Sequence, residues 1–389
     1  MTAPRKVMVL TGKRGGFGAM VPMLRLLRDD PVFELQLVVT DQHVSARFGN
    51  TVREVEEEFA VAAAVDMAQQ DDRPASRCHA LARCLAGMTD VLADLAPDLC
   101  VLYGDRGEVL ATAFAATNLG VPIAHIQGGD VSGSVDEPVR HAVSKLAHVH
   151  FPATEQSASR LRQMGEEDWR IHVVGDNHID SIVHGRFAPR DQVARALDLD
   201  LDAPVIVLLQ HSETTAPDDA HGQMVETLAA VAAVGHQTVV VHPCSDQGYG
   251  GILRAIEEQA RPPQFRVHVN IDAPLFWGLL AQASVMVGNS SAGLIETPSF
   301  RLPAVNVGRR QVGRLHAENV IHVGHDRGEI EAAIRRALTD PDFRRAAAQC
   351  SQPFGDGRAG ERIVGHLREL EIDRRLRLKE LPPLAESAA

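Results

Sequence analysis

The sequence predicts an α/β protein built from two Rossmann-like, parallel-sheet domains that face a central cleft. Three observations predict it. Short apolar runs alternate with helical patterns along the chain, the sign of successive β/α units. The runs are continuously apolar, as strands buried on both faces require. Many stop at Gly, Asp, Ser or His, and in parallel sheets ligands sit at the carboxyl ends of the strands.

Taken in order, Lys6-Val7-Met8-Val9-Leu10 is a first buried strand, followed by the glycine-rich turn Thr11-Gly12-Lys13-Arg14-Gly15-Gly16-Phe17-Gly18 and a helical pattern from Val21. Strand, glycine turn and helix together present backbone N–H groups to an anion, and Lys13 and Arg14 add cations; glycine also serves tight turns for steric reasons alone. Phe33–Thr40 is the second strand, ending at Asp41-Gln42-His43. Residues 51–70 and 74–97 read as helices. The apolar run Leu99–Tyr103 breaks at Gly104-Asp105-Arg106, and the run Val121–Ile126 ends in Gln127-Gly128-Gly129-Asp130, with Asp136-Glu137 opening the helix of Arg140-His141. Asp105, Asp130 and Asp136/Glu137 therefore converge on one rim, too many carboxylates for solvation alone. His148–Phe151 and Ile171–Gly175 read as two more strands.

The pattern restarts around Ala188-Pro189-Arg190, which divides the chain into residues 1–185, 186–360 and a C-terminal helix and tail, 361–389. The second half repeats the architecture. Pro204–Leu209 leads to Gln210-His211, a helix spans about 218–234, and Gln237–Val241 leads to His242-Pro243-Cys244. Arg266–Val269 and Ala283–Val287 follow. The latter stops at Gly288-Asn289-Ser290-Ser291-Ala292-Gly293, before a helix opened by Leu294. Pro303–Val307 then runs into Gly308-Arg309-Arg310-Gln311-Val312-Gly313-Arg314. Residues 360–381 read as a charged helix, and Pro382-Pro383 begins a tail expected to fray.

At 389 residues, 45% apolar and 23% charged, the chain is an ordinary globular protein, with a core resting on aliphatic residues because aromatics are only 4%. Its net charge of −12 argues against a nucleic-acid backbone or an anionic membrane as partner. The five cysteines show no CxxC pairing, so neither a disulfide framework nor a zinc site is expected. No signal peptide or apolar stretch of about 20 residues stands out, so a cytoplasmic protein is expected.

Gly288–Gly293 carries the sharpest phosphate signal, since two hydroxyls and backbone amides gather where a helix begins; the alternative is an ordinary serine cap. Arg310 and Arg314 could supply positive charge, with at least one arginine of the 309–314 loop left to solvent. Glu296 could accept from a ribose diol or serve the helix dipole. His211, His242, His43 and His125 have equal claims at strand ends. Arg140 could hold a neighbouring carboxylate ionised. No metal-ligand spacing stands out, so no catalytic metal is expected.

These blocks, in this order, resemble the UDP-N-acetylglucosamine 2-epimerases, above all the bacterial hydrolysing branch that makes N-acetylmannosamine-type sugars for sialic and legionaminic acids. Gly104-Asp105-Arg106, Ala124–Asp130, Asp136–His141, Gly288–Ser291, Pro298-Ser299-Phe300 and Asn306–Arg314 carry the likeness, which runs from about residue 5 to 365. The resemblance implies a glycosyltransferase-B-like fold in which the second domain grips UDP and the first holds the sugar, with 361–389 packing back on the first domain. It implies loss of UDP to give a 2-acetamidoglucal, which hydration turns into N-acetylmannosamine and UDP and re-addition of UDP turns into UDP-N-acetylmannosamine. Asp105, Asp130, Asp136 or Glu137 carry over as acid/base groups, and His211 as the histidine near the departing diphosphate. Lys13, Arg14, Arg140, His242, Ser290, Ser291, Gly293, Glu296, Arg310 and Arg314 are the expected substrate-binding set. No cofactor is implied, and the expected partners are UDP-N-acetylglucosamine or a modified UDP-amino sugar and a second copy of the chain in a homodimer or homotetramer. The chain departs from the family pattern at Gly15-Gly16, at Asp130 in place of Glu and at Gln127 in place of His. A glycosyltransferase of the same fold and a non-catalytic sugar-nucleotide sensor are the rival readings.

Overall fold

The computed structural model describes residues 3–71, 73–132, 135–261 and 263–380, and of Arg14 the backbone alone. Twelve strands form two parallel sheets. The first holds β1 (Arg5–Thr11), β2 (Phe33–Thr40), β3 (Val61–Val65), β4 (Leu99–Tyr103), β5 (Ile123–Ile126) and β6 (Val149–Phe151), in the order β3-β2-β1-β4-β5-β6. The second holds β7 (Val205–Leu209), β8 (Gln237–Val241), β9 (Phe265–His268), β10 (Val285–Gly288), β11 (Ala304–Val307) and β12 (Val320–Val323), in the order β12-β11-β10-β7-β8-β9. Renumbered within its own half, the second order is the same as the first. In each sheet the chain leaves the first strand in one direction, then returns to build the other side. The crevice opens where the direction reverses, between β1 and β4 and between β7 and β10.

Alternation along the strands explains why both faces are covered. Val7 and Val9 pack with the first helix, Arg14–Asp29, on one face, while Met8 and Leu10 pack with the Pro74–Leu95 helix on the other. Ile206 and Leu208 divide from Val205 and Val207 in the same way in the second sheet. After the second sheet the chain crosses back. Ile363, Val364 and Leu367 of the Ala359–Glu369 helix, and Leu376 beyond it, join the core of Val7, Val9 and Met20. Asp180 fixes the crossing by accepting from the backbone N–H of Ala359 (2.9 Å) and Gly360 (2.6 Å).

Several local expectations are corrected. The segment 51–70 is not one helix but a turn of helix, Val52–Glu56, followed by β3, whose alanines yield to parallel pairing with β2 despite their helical propensity. Ile171–Gly175 is not a strand; a single bridge from Ile171 to His150 is all that the three-residue edge strand β6 supports. The glycines after β1 do not form a loop, because the first helix already starts at Arg14. The charged 360–381 helix breaks after Glu369 and resumes only as Arg374–Arg377. The expected fraying tail, 382–389, lies outside the described residues. Among the described residues no helix is long and apolar enough to cross a membrane.

Candidate active site

The ends of β1, β4, β7 and β10 meet at one cleft. Its walls include Lys13, Gly104, Asp105, Gln127, Asp136 and Arg140 from the first half and His211, His242, Ser290, Ser291, Glu296, Arg310 and Arg314 from the second. The close approach of β10 to β7 depends on Gly288, at φ +124°, where a Cβ would overlap the Leu209 carbonyl. Asn289, next in line, ties the two strand ends together: its Oδ1 accepts from His211 N (2.7 Å) and its Nδ2 donates to His211 O (2.9 Å).

The carboxylates separate into different electrostatic states. Arg140, buried and donating to Gln127 O (2.7 Å), forms an ion pair with Asp105. Burial pushes Asp105 up, but Arg140, Lys13, Arg314 and Arg310 outweigh it and hold the group below the usual range. Asp136 lies opposite. Burial, then repulsion from Asp105 and Asp246, pushes it up to about 6, with Arg310 (3.8 Å) pulling against them. Asp130 is not on the cleft wall but behind Arg314, whose Nε donates to it at 2.9 Å; burial raises it and Arg314 and Arg140 bring it below its ordinary value. Glu137 points elsewhere, accepting from Ser132 N at 2.8 Å. Consecutive residues on a helix stand about 100° apart, so Asp136 and Glu137 cannot share the cleft face.

The second half supplies cations and hydroxyls. Arg310 reaches Asp246 (3.2 Å) and Asn289 O (3.4 Å), and its buried Nε has no partner among the described residues. Arg309, one residue earlier, is solvated. The Ser290–Gly293 segment corrects the helix-dipole expectation, because the helix it opens is only Ala292–Ile295 and runs straight into a 3-10 turn. Hydroxyls, not a macrodipole, are what it offers. Gly293 faces Met286 and Ala304 and does not line the cleft. His211 is neutral: burial, then Arg310, lowers it to about 3. Its Nδ1 accepts from Cys244 N (3.2 Å) with the Cys244 thiol also at 3.2 Å, which leaves the proton on Nε2. Glu296 accepts from Trp277 Nε1 (3.0 Å) and is raised by burial against the pull of His178, 3.9 Å away. The side chain of Arg14 lies outside what is described.

Residues that sequence reasoning passed over complete the cleft. Arg106 spans it, donating to Asp246 (2.8 Å) and Ser245 (2.8 Å) of the second half while bound to Glu108 (3.0 Å) in the first. His178, held by Asp176 (2.7 Å) and close to the Tyr103 hydroxyl (3.1 Å), stands on the floor. Phe276, Tyr249 and Ile271 give one end an apolar lining. The signal for Asp246 was present in His242-Pro243-Cys244-Ser245-Asp246, where a strand end carries four polar or reactive types within five residues. His211, Cys244 and Asp246 also offer a nitrogen, sulfur and oxygen within 4.8 Å of one another, a set able to hold a metal. Both Asp246 oxygens are, however, already engaged by Arg106 and Arg310.

A family model described as UDP-N-acetylglucosamine 2-epimerase matches residues 25–368. The chain belongs to this family. Within it, a relative from Legionella pneumophila, UDP-N,N'-diacetylbacillosamine 2-epimerase (hydrolyzing), is 36% identical over 369 residues, covering 95% of this chain and 97% of the relative. A UDP-N-acetylglucosamine 2-epimerase from Neisseria meningitidis is 30% identical over 335 residues, 86% of this chain and 88% of the relative. Among solved structures, the Neisseria meningitidis UDP-GlcNAc 2-epimerase bound to UDP-GlcNAc superposes with a TM-score of 0.80 at 19% identity, covering 94% of this chain and all of that one (100%). The Methanocaldococcus jannaschii enzyme in complex with UDP-GlcNAc and UDP gives 0.78 at 19% identity, over 94% and 99% of the two chains. The fold of this epimerase-family chain is therefore the glycosyltransferase-B-like pair of sheets facing a cleft.

Proposed function

We propose that the chain is a hydrolysing 2-epimerase of a UDP-amino sugar, UDP-N-acetylglucosamine or a form of it modified at C4 or C6, releasing UDP and the 2-epimeric free sugar. One observation carries the reading. Groups able to bind an anion (Ser290, Ser291, Arg310, Arg314, Lys13) line a single cleft together with a pair of carboxylates in different charge states (Asp105, Asp136). The hydrolyzing relatives from Legionella pneumophila and Campylobacter jejuni support the hydrolytic outcome over return of the nucleotide.

In an α-linked glucosamine the C1–O and C2–H bonds are antiperiplanar, so UDP can leave one face as the C2 proton leaves the other. On the leaving side, Arg310, Arg314 and Lys13 neutralise the diphosphate, and neutral His211 donates from Nε2. Glu296, on the cleft wall, accepts from the ribose diol, and Phe276 covers the base. On the proton side, groups whose environments push their pKa values apart take different roles. Asp136, raised to about 6, is the group able to accept the C2 proton near neutrality, and Asp105, held ionised by Arg140, stabilises positive charge at C1. In the ligand-free cleft Arg310 and Arg314 rest on Asp136 and Asp130. An arriving diphosphate competes for both arginines and frees the carboxylates. Water adds at C1 of the 2-acetamidoglucal and gives up a proton to solvent, while C2 takes a solvent-derived proton on the face opposite Asp136.

The test is turnover of UDP-N-acetylglucosamine, and in parallel its 4-acetamido-4,6-dideoxy analogue, in deuterated water, followed by NMR. Free N-acetylmannosamine-type sugar with deuterium at C2, and UDP, are expected. UDP-N-acetylmannosamine as the end product would replace the hydrolytic reading, and product without deuterium at C2 would remove the elimination.

A further inference from the structure

The helix Asp136–Leu146 carries Asp136 and Arg140 at its cleft end, and its opposite end is capped in an unusual way. No glycine or left-handed residue closes it, since Ala147 is extended. The last carbonyls of a helix have no partners within it. Here they are met by the far end of the chain. Lys379 Nζ donates to Ser144 O (3.0 Å), Lys145 O (2.8 Å) and Ala147 O (2.7 Å), with the Glu166 carboxylate beside it at 2.5 Å.

The segment that delivers Lys379 is itself built in. Arg170, buried to 1% exposure, donates to Arg375 O (3.0 Å), Leu376 O (3.0 Å) and Leu378 O (2.8 Å). Leu376 is sunk in the first-domain core, and Arg377 donates to Gly120 O at 2.7 Å. Trp169 is stacked between Arg170 (4.1 Å) and Arg375 (4.2 Å). Around the amine stand Glu166, Lys145 and Arg170; Glu166 also binds Lys145 (2.7 Å) and His150 (2.9 Å). Burial pulls Lys379 down to about 8 against the hold of Glu166. A lysine is placed here at an energetic expense, and none of its contacts reaches the cleft.

We propose that Lys379 is a positioning residue for the reaction: by capping the far end of the Asp136–Leu146 helix, it sets how Asp136 and Arg140 stand in the cleft. The helix is a rigid rod of roughly 16 Å, so a slip or tilt at its capped end shifts its cleft end by a comparable amount. Displacements of about 1 Å at a reacting group are enough to slow chemistry by about 10²-fold, while a nucleotide held from the other domain is untouched. The inference rests on the proton-transfer role given to Asp136, and the experiment separates the two.

Wild-type turnover is measured first, as above; its absence overturns the functional reading, whatever Lys379 does. Lys379→Met then keeps length and apolar bulk but removes the donors. The expected result is a fall in kcat of about ten- to a hundredfold with KM and the UDP dissociation constant within about twofold of wild type. Lys379→Arg, which keeps donors, should recover most of kcat. Faster hydrogen exchange is expected through residues 140–147, with the Gly107–Asn118 helix unchanged. Unchanged kcat overturns the proposal, and so does a parallel loss of kcat and UDP affinity, the mark of a merely structural role. If Lys379→Met does not fold, Arg377→Ala removes one anchor of the same segment and should show the same split at smaller amplitude; no split there overturns the proposal as well.

Discussion

Replacing Asp136 by Asn should stabilise the protein and disable it at once. The folded state raises the Asp136 carboxyl from 3.8 to about 6, through burial and the nearness of Asp105 and Asp246. Between those two values the folded protein binds more protons than the unfolded chain, so stability falls as pH rises through the window. Above it, the ionised carboxylate costs roughly 1–3 kcal/mol, the upper figure being the full shift at about 1.4 kcal/mol per pH unit and the lower allowing for charge shared with its neighbours. Asp136→Asn keeps the shape and removes that penalty. At pH 7.5 the variant should melt about 2–6 °C above wild type. The gap should close as pH falls through 6 towards 4, where wild-type Asp136 is neutral too. Turnover should drop by about 10²–10⁴-fold, the usual contribution of a positioned proton carrier. Differential scanning calorimetry at a series of pH values, alongside release of UDP, measures both. A variant that melts at or below wild type at pH 7.5 would refute the electrostatic account of Asp136, and its assignment as the proton carrier would go with it.

Other perturbations test other parts of the cleft. Ser290→Ala combined with Ser291→Ala should weaken UDP binding by about 1–3 kcal/mol in titration calorimetry, the loss expected for hydrogen bonds to a charged group; unchanged affinity would reduce the segment to a helix cap. Arg106→Gln leaves Asp41, Glu108 and Asp246 buried with one cation fewer, so urea unfolding should show a loss of about 3–5 kcal/mol, and a neutral result would show that the cluster relaxes. Gly288→Ala should fail to fold or lose the β7–β10 pairing, because a methyl group meets the Leu209 carbonyl; a native circular-dichroism spectrum and melting point would contradict that geometry. Asp105→Asn should cut turnover by about 10²-fold or more with UDP affinity little changed, whereas equal loss in both would place Asp105 in nucleotide binding.

How much of this was legible in the sequence depended on whether a signal was local. β2 runs over Phe33–Thr40, the span read from the sequence, because its apolar residues alternate with Glu34 and Gln36 at the open end and become continuous over Leu37-Val38-Val39 where both faces are buried. Asp105, Ser290 and Arg310 share a cleft because each follows a buried strand, and strand ends are where parallel sheets gather function. β3 was hidden because Val61-Ala62-Ala63-Ala64-Val65 has a helix former's composition and becomes a strand only through pairing with β2. β12 (Val320–Val323) left too short and half-exposed a pattern to stand out. Within the site, Asp130, Glu137 and Gly293 belong to the right segments but face away from the cleft, and facing is decided by helix phase and loop path rather than composition. Arg106 and Asp246 were missed for a different reason: their roles come from partners 140 positions apart in the chain.

The two sheets divide the work in a way that their charges explain. On the proposed reading an acidic chain, at −12 overall, binds a diphosphate, and the cleft gathers Arg106, Arg310 and Arg314 with carboxylates set beside them. Asp246 shows the principle: buried, it lies between Arg106 from the first half and Arg310 from the second, and is held far into its ionised form by both. That single carboxylate lets guanidinium groups from the two halves of the chain stand near each other. The same pairing logic reaches the proposed chemistry. Arg310 and Arg314 touch Asp136 and Asp130 while no anion is present, so a phosphate that recruits them changes the charge on the sugar side without any motion of the sheets. A cleft wired in this way couples leaving-group binding to the proton affinity of Asp136. On the proposed mechanism, the carboxyl that carries the proton gains affinity for it as the diphosphate takes its arginine away.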